Sequence, residues 1–323
     1  MKNYQKTLRK KSNKINKSGD KLSGNKLIYL VIPFGILLIA LIISDLVVRI
    51  RVDELGLRAN PITNFRAADL PVLNSNNILN ISSYGAIIID NDSKSILFSK
   101  NPMLRFSMAS TTKIMTALVA LDHYKMNDIL TVQTDNVEGS VVGFKKGERL
   151  TFESLLYAML LPSANDAALA IAQNYPGGEN AFVEKMNEKA LNLHLYSTHF
   201  ADPAGLADSQ NYTTVLELAE LASDAIKNPI IANIVSTKTR IISDVDGLNV
   251  YTLNNLNILL GTDGVDGIKT GYTDEAGEVL VTSANIKNHK VIIVVMKSED
   301  RFADTLTLLS YLINNLSYSK MHL

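Results

Sequence analysis

The chain has 323 residues, 46% of them hydrophobic, enough for one large domain with appendages or for two domains with a sizeable core. It has no cysteine, which excludes disulfides and thiolate metal sites, and its five histidines are scattered with no His-Glu-x-x-His pair, which argues against zinc hydrolysis. The formal net charge of zero hides an asymmetry: residues 1–26 hold nine Lys/Arg and one acid, Asp20, leaving a net charge of −8 on the remainder. A basic tail on an acidic body would suit nucleic acid, but the residues that follow it favour a membrane.

Residues 27–44, LIYLVIPFGILLIALIIS, carry no charge, and Leu46, Val47 and Val48 extend the apolar run past Asp45. A membrane span needs about 20 apolar residues, with a lower limit near 17. A signal-peptide core is shorter, about 7–15 residues, and ends at a small-x-small site. A cut after Ser44 would put bulky Ile42 where a small residue is wanted. The sequence therefore predicts one uncleaved transmembrane helix at 27–48 rather than a removed signal peptide. The lysine-rich flank places residues 1–26 in the cytoplasm and everything after Arg49 outside. Residues 49–81 read as a linker, interrupted by Asn60-Pro61, Leu70-Pro71 and Asn74-Ser75-Asn76-Asn77. The folded domain is expected over 82–323.

That domain opens with a β-hairpin, Ala86–Asp90 and Ser95–Ser99 about the turn Asn91–Lys94. A buried helix then starts near Ser110 and runs to about His123, with Ile114, Met115, Leu118, Val119 and Leu121 at helical spacing. Thr151 caps a second helix with Leu155, Leu156, Met159 and Leu160 on its apolar face, ended by Pro162. Another follows Asn165 over Ala167–Ala172, and a further one spans about Asn180 to Leu193. Thr214-x-x-Glu217 reads as a capping box opening the next. Strands return as two hairpins: Lys238–Ser243 with Leu248–Thr252 about Asp246-Gly247, and Val279–Ala284 with Val291–Met296. An amphipathic helix from Phe302 to Leu316 closes the chain. The order predicts an α/β protein of the α+β type: one antiparallel sheet flanked by helices, with a helical subdomain inserted.

The chemistry is carried by three triplets. Ser110 and Lys113 lie three apart, on one helical face, so the hydroxyl and the amine can meet. A hydroxyl needs a neighbouring base to become a nucleophile, and a desolvated lysine can be one. A helix start also offers free backbone N–H groups to an oxyanion. Alone the pattern is weak, since Ser18/Lys21, Ser23/Lys26 and Ser317/Lys320 repeat it. Ser163-Ala164-Asn165 has doubles as well, but Lys269-Thr270-Gly271 occurs once. Ser-x-x-Lys, Ser-x-Asn 53 residues later and Lys-Thr-Gly 106 beyond that form the signature set of penicillin-recognising serine enzymes. With Ala109–Ala117, Leu160–Ala167, Asp202-Pro-Ala-Gly-Leu206, Tyr212-Thr-Thr214 and Val265–Thr273, the region from about Ser82 to Leu316 resembles the D-alanyl-D-alanine carboxypeptidases, the low-molecular-weight penicillin-binding proteins of peptidase family S11.

The resemblance implies a serine β-lactamase/DD-peptidase-like fold. It implies Ser110 as acylated nucleophile, Lys113 as general base, and Ser163 as relay to the leaving D-alanine. Asn165 would hold the substrate amide, Lys269 and Thr270 the terminal carboxylate with Arg301 as a weaker candidate, and the backbone N–H groups of Ser110 and Tyr272 the oxyanion. In the working enzyme Lys113 is expected to be neutral and Lys269 charged, the substrate carboxylate favouring that charge. No metal and no other cofactor is implied; the expected partners are peptidoglycan stem peptides, β-lactams as inhibitors and the membrane, not nucleic acid. Ala164 stands where the family often has glycine, and His194 where it often ends a helix with glycine; a histidine tolerates positive φ, so a structural cap is expected there. The N-terminal span would replace the C-terminal amphipathic membrane anchor that the resemblance implies. A class A β-lactamase would need a glutamate-bearing loop after Ser-x-Asn, where this chain has Pro176-Gly-Gly-Glu-Asn180. A D,D-endopeptidase shares every motif, and an inactive wall-binding module would not need the intact triplets.

Overall fold

The computed structural model describes residues 37–44, 70–74 and 79–319, and the chain divides into two units, Met1–Arg66 and Ala67–Leu323. In the first unit, residues 37–44 are helical with exposed side chains. Among the described residues no helix is long and apolar enough to cross a membrane. The rest of the span expected at 27–48 lies outside the described residues, as do the tail 1–26 and residues 49–69 of the expected linker.

Among the described residues the second unit has thirteen strands: β1 Leu70–Leu73, β2 Gly85–Asp90, β3 Ile96–Lys100, β4 Arg105–Ser107, β5 Ile129–Thr131, β6 Arg149–Thr151, β7 Tyr212–Thr214, β8 Thr239–Ser243, β9 Val250–Asn254, β10 Val265–Thr273, β11 Gly277–Ile286, β12 His289–Ser298 and β13 Leu316–Ser319. Its helices are α1 Lys113–His123, α2 Phe152–Leu160, α3 Asn165–Gln173, α4 Gly178–Asn192, α5 Val215–Ala225, α6 Pro229–Val235 and α7 Arg301–Asn315. Five strands form the central antiparallel sheet in the order β10-β11-β12-β2-β3.

The runs GAIIID, VLVTSA and VIIVVM are apolar on both faces because both faces of the sheet are covered. Successive residues point to opposite sides, and the core divides accordingly. Ile87, Ile89, Val279, Val281, Ile292 and Val294 join the helical lobe, while Ala86, Ile88, Leu280, Val291, Ile293 and Val295 pack against Leu308, Leu309 and Leu312 of α7. Each fully buried Leu or Ile contributes about 1.5–3 kcal/mol.

The structure departs from the sequence reading at identifiable places. Leu70–Leu73, read as linker, is a strand paired antiparallel with β13, from Leu70 opposite Ser319 to Leu73 opposite Leu316. The last helix therefore stops at Asn315 and the chain turns extended at Leu316. Ser110 lies in a 3₁₀ turn, Ala109–Thr112, ahead of α1 rather than in one continuous α-helix. Thr214 does cap α5, accepting from the Glu217 N–H at 3.1 Å, but the capping box does not close. The Glu217 carboxylate instead accepts from the Ser197 N–H at 2.8 Å and the Thr198 hydroxyl at 2.5 Å. Helix α6 went unread, although Asn228-Pro229 is a start signal: Asn228 caps it and Pro229 fills its first turn. His194 takes φ 61° at the end of α4, as expected of a cap.

One carboxylate joins the two ends of the sheet–helix layer. Asp304, buried in the first turn of α7, accepts from the Ser82 N–H at 2.8 Å, the Ser83 N–H at 2.7 Å and the Ser82 and Ser298 hydroxyls at 2.9 and 2.6 Å. Burial acts to raise its pKa, but these hydrogen bonds outweigh it and hold the carboxyl below the usual range. Asp304→Ala should cost on the order of 3 kcal/mol by orphaning buried donors. Because the folded pKa is depressed, the stabilisation is present above the unfolded value of about 3.9 and is lost as pH falls through the folded one. Urea unfolding at pH 7 and pH 3 checks this: the gap between wild type and Asp304→Ala should narrow at the lower pH.

Candidate active site

The loop between β4 and α1, the tip between α2 and α3, and edge strand β10 meet at one cleft of about 350 Å³. It is lined by Ser110, Ser163, Asn165, Thr270, Tyr272 and Arg301, among others. Of the residues singled out in the sequence, Lys113 and Lys269 lie behind this lining, with 0% and 2% of their surface exposed.

Lys113 has three partners. Its Nζ lies 2.9 Å from Ser110 Oγ, 2.7 Å from Asn165 Oδ1 and 2.7 Å from the Ala204 carbonyl. Asn165 cannot turn its amide round, because its Nδ2 donates to the Glu138 carbonyl at 2.7 Å. Two of the partners are thus carbonyl oxygens, which can only accept. A neutral amine has two N–H bonds and one lone pair. With both N–H groups given to the carbonyls, the lone pair is left facing the Ser110 hydroxyl. Burial drives Lys113 down to about 7, against Asp202 and Asp166, which favour its protonated form. The expectation of a neutral Lys113 rests here on burial, not on a neighbouring cation.

For Lys269, expected to be charged in the working enzyme beside a substrate carboxylate, the protein's own groups act in the other direction. Burial, then the charges of Lys113 and Arg301, push it well below an ordinary lysine. Its Nζ donates to the Thr270 carbonyl at 2.9 Å. A carboxylate brought beside it would reverse the shift, so its charge belongs to the occupied cleft.

The backbone is drawn tight around Ser110. A Cβ on Gly271 would sit 3.3 Å from the Ser110 nitrogen, so glycine lets β10 press its free edge against the serine turn. One on Gly205 would lie 1.9 Å from the Ala109 carbonyl, and Gly205 has φ +85°. Ala109 and Ser163 hold φ of 45° and 65°, a conformation that costs non-glycine residues about 1–3 kcal/mol. The Ser163 hydroxyl is buried without a protein hydrogen-bond partner, and Ser163 lines the cleft. Arg301 closes one end, its Nη1 donating to the Gly271 carbonyl at 2.8 Å.

Sequence reasoning missed the supports. Asp166 accepts from the N–H groups of Val142, Gly143 and Phe144 at 3.3, 2.8 and 3.2 Å and so fixes the loop that carries Gly139 and Ser140 to the cleft. An acid one residue beyond Ser-x-Asn was the available signal. The loop Asp202–Leu206, known only as part of a motif, supplies the Ala204 carbonyl to Lys113.

A serine hydroxyl facing a desolvated lysine, at the junction of an antiparallel sheet and a helical lobe, defines the class: serine–lysine acyl-transfer enzymes. The profile of the D-alanyl-D-alanine carboxypeptidases, peptidase family S11, matches residues 72–300, and the chain belongs to that family. It is 34% identical over 217 residues to the D-alanyl-D-alanine carboxypeptidase DacF of Bacillus subtilis, covering 65% of this chain and 56% of that protein's length. To the D-alanyl-D-alanine endopeptidase of Pseudomonas aeruginosa it is 32% identical over 228 residues, 69% of this chain and 73% of the relative. The crystal structure of the Streptomyces K15 DD-transpeptidase superposes with a TM-score of 0.69 at 33% identity, covering 73% of this chain and 98% of that one.

The Lys113 geometry fixes the sign of a pH dependence. Reactivity of Ser110 toward a fluorescent penicillin should rise with pH through about 7, as Lys113 loses its proton. Lys113→Arg cannot release a proton there, so its acylation should fall by about 10²–10⁴-fold. Stopped-flow acylation between pH 5 and 10 measures both.

Proposed function

We propose that the protein is a penicillin-sensitive serine D-alanyl-D-alanine carboxypeptidase that removes the terminal D-alanine from peptidoglycan stem peptides. The observation that carries this reading is the Lys113 amine held between two carbonyls and the Ser110 hydroxyl. Lys113 takes the Ser110 proton as Oγ attacks the carbonyl of the penultimate D-alanine. The negative oxygen forms against the backbone N–H groups of Ser110 and Tyr272, at the approach of β10 that Gly271 permits. Ser163 passes a proton to the departing amine, so D-alanine leaves and an ester remains on Ser110. Water, deprotonated by Lys113, then hydrolyses the ester and restores the hydroxyl. The chemistry needs one nucleophile, one base and no metal. Lys269 and Thr270, with Arg301 beside them, take the substrate's terminal carboxylate, and Asn165 takes its amide.

D,D-endopeptidase action on cross-links is the second reading, favoured by the 32% identity to an enzyme of that name. Mass spectrometry of defined muropeptides after incubation with residues 49–323 separates the two. Monomeric pentapeptides should lose one D-alanine while cross-linked dimers persist. Dimer cleavage with pentapeptides left whole would establish the endopeptidase instead. Ser110→Ala should abolish both hydrolysis and penicillin labelling while the domain stays folded, and persistent labelling of that variant would overturn the assignment.

We also propose that residues 27–48 anchor the protein in the cell membrane, with residues 1–26 in the cytoplasm and the catalytic unit outside. The apolar run of residues 27–44 supports this. N-terminal sequencing of membrane-extracted protein should begin within residues 1–26; a start near Asp45 would mean that the segment is cleaved.

A further inference from the structure

Asp202 is half-buried beside the cleft, yet it lines no part of it and reaches no reacting atom. It is the centre of a tight turn. Its Oδ1 accepts from the N–H groups of Ala204 at 2.7 Å and Gly205 at 2.6 Å. Its Oδ2 accepts from Leu206 at 2.9 Å, Ala207 at 2.7 Å and Asn211 Nδ2 at 2.6 Å. Five donors converge on two oxygens, and only a carboxylate offers enough acceptor sites. An asparagine would turn an N–H toward N–H donors.

What this turn delivers is a pair of consecutive carbonyls facing one side of α1. The Pro203 carbonyl accepts from the Thr116 hydroxyl at 2.6 Å, and the Ala204 carbonyl accepts from Lys113 Nζ at 2.7 Å. Gly205, which follows, abuts the Ala109 carbonyl one residue before Ser110. The loop is therefore hydrogen-bonded to α1 at two successive residues and packed against the serine turn at the third, and the middle contact is the one that occupies an N–H of Lys113. Without it the amine could rotate, and its lone pair would no longer be pinned toward Ser110.

We propose that Asp202 is a positioning residue for the reaction: by holding the turn that presents the Ala204 carbonyl, it fixes the rotation of the Lys113 amine. The proposal rests on Lys113 being the base in the function proposed above. The titratable groups that act on Lys113 are Asp202 on this loop and Asp166 at the start of α3, while Lys269 on β10 is coupled to it and is itself pushed well below an ordinary lysine. Asp202 and Asp166 oppose the effect of burial, and Asp202 is the stronger of the two.

Two variants test this, read as penicillin acylation rate against pH on the full chain. Asp202→Asn should lower the plateau rate at least tenfold and move the midpoint below that of wild type, because removing a negative charge makes Lys113 easier to deprotonate. A rate loss with an unmoved midpoint would mean that Asp202 is merely structural. A wild-type profile would exclude any role, and either result overturns the proposal. If Asp202→Asn does not fold, Thr116→Val decides the matter, since it releases the Pro203 clamp and leaves every charge in place. It should lower the plateau severalfold with the midpoint unchanged; an unaltered rate would show that the register of this loop does not matter. Failure of the underlying reading would look different, because wild type would then show no acylation that depends on Lys113.

Discussion

The structure turns on the removal of one lysine amine from water. A cation with no surface exposure is costly unless it is paired or gives up its charge, and Lys113 has no carboxylate in contact. Its three partners are a hydroxyl and two carbonyls, drawn from its own turn, from the tip between α2 and α3, and from the Asp202–Leu206 loop. Each must arrive within 3 Å for the amine to be satisfied when neutral. The helical lobe, the long excursion that Asp166 fastens and the tight turn about Asp202 all serve this requirement. The same burial that makes the lysine expensive to keep charged is what makes it a base near neutrality.

Such a site is crowded with backbone rather than with side chains. Gly205 admits the Ala109 carbonyl where a methyl group would collide, Gly271 lets β10 come close to the serine turn, and Ala109 and Ser163 hold a left-handed conformation. Strain of this kind persists only where the surroundings over-determine it. Here the surroundings are the doubly covered five-stranded sheet and the two apolar clusters on its faces. The rigid part of the molecule holds the unfavourable part in shape.

Much of this was legible in the sequence because it is periodic or punctuated. The apolar runs of β2, β11 and β12, the caps at Thr151 and Thr214 and the turn at Asp246-Gly247 each announce themselves within a few residues. The triplets that gather at the cleft were legible as a set, since their order and spacing narrowed what any one leaves open. What stayed hidden was long-range. Glu217 satisfies the Ser197–Thr198 segment instead of its own helix end, because tertiary partners compete with the local reciprocal bond. Strand β1 has four residues and includes a proline, so it has no strand signature until β13 lies beside it. The pull of burial on Lys269 was not legible either, because sequence shows neighbours along the chain but not depth.

The pairing of β1 with β13 has a mechanical meaning. Any pull on the chain ahead of Leu70 is met first at the outermost pair, Leu70 with Ser319, and peels a ladder of four pairs one at a time. Behind it the Asn74 N–H to the Asn315 carbonyl, at 3.0 Å, is the last bond of the same seam. None of these residues belongs to the central sheet or lines the cleft. The seam is separate from the site: opening it would lengthen the chain ahead of Asn74 without moving any of the three partners of the lysine.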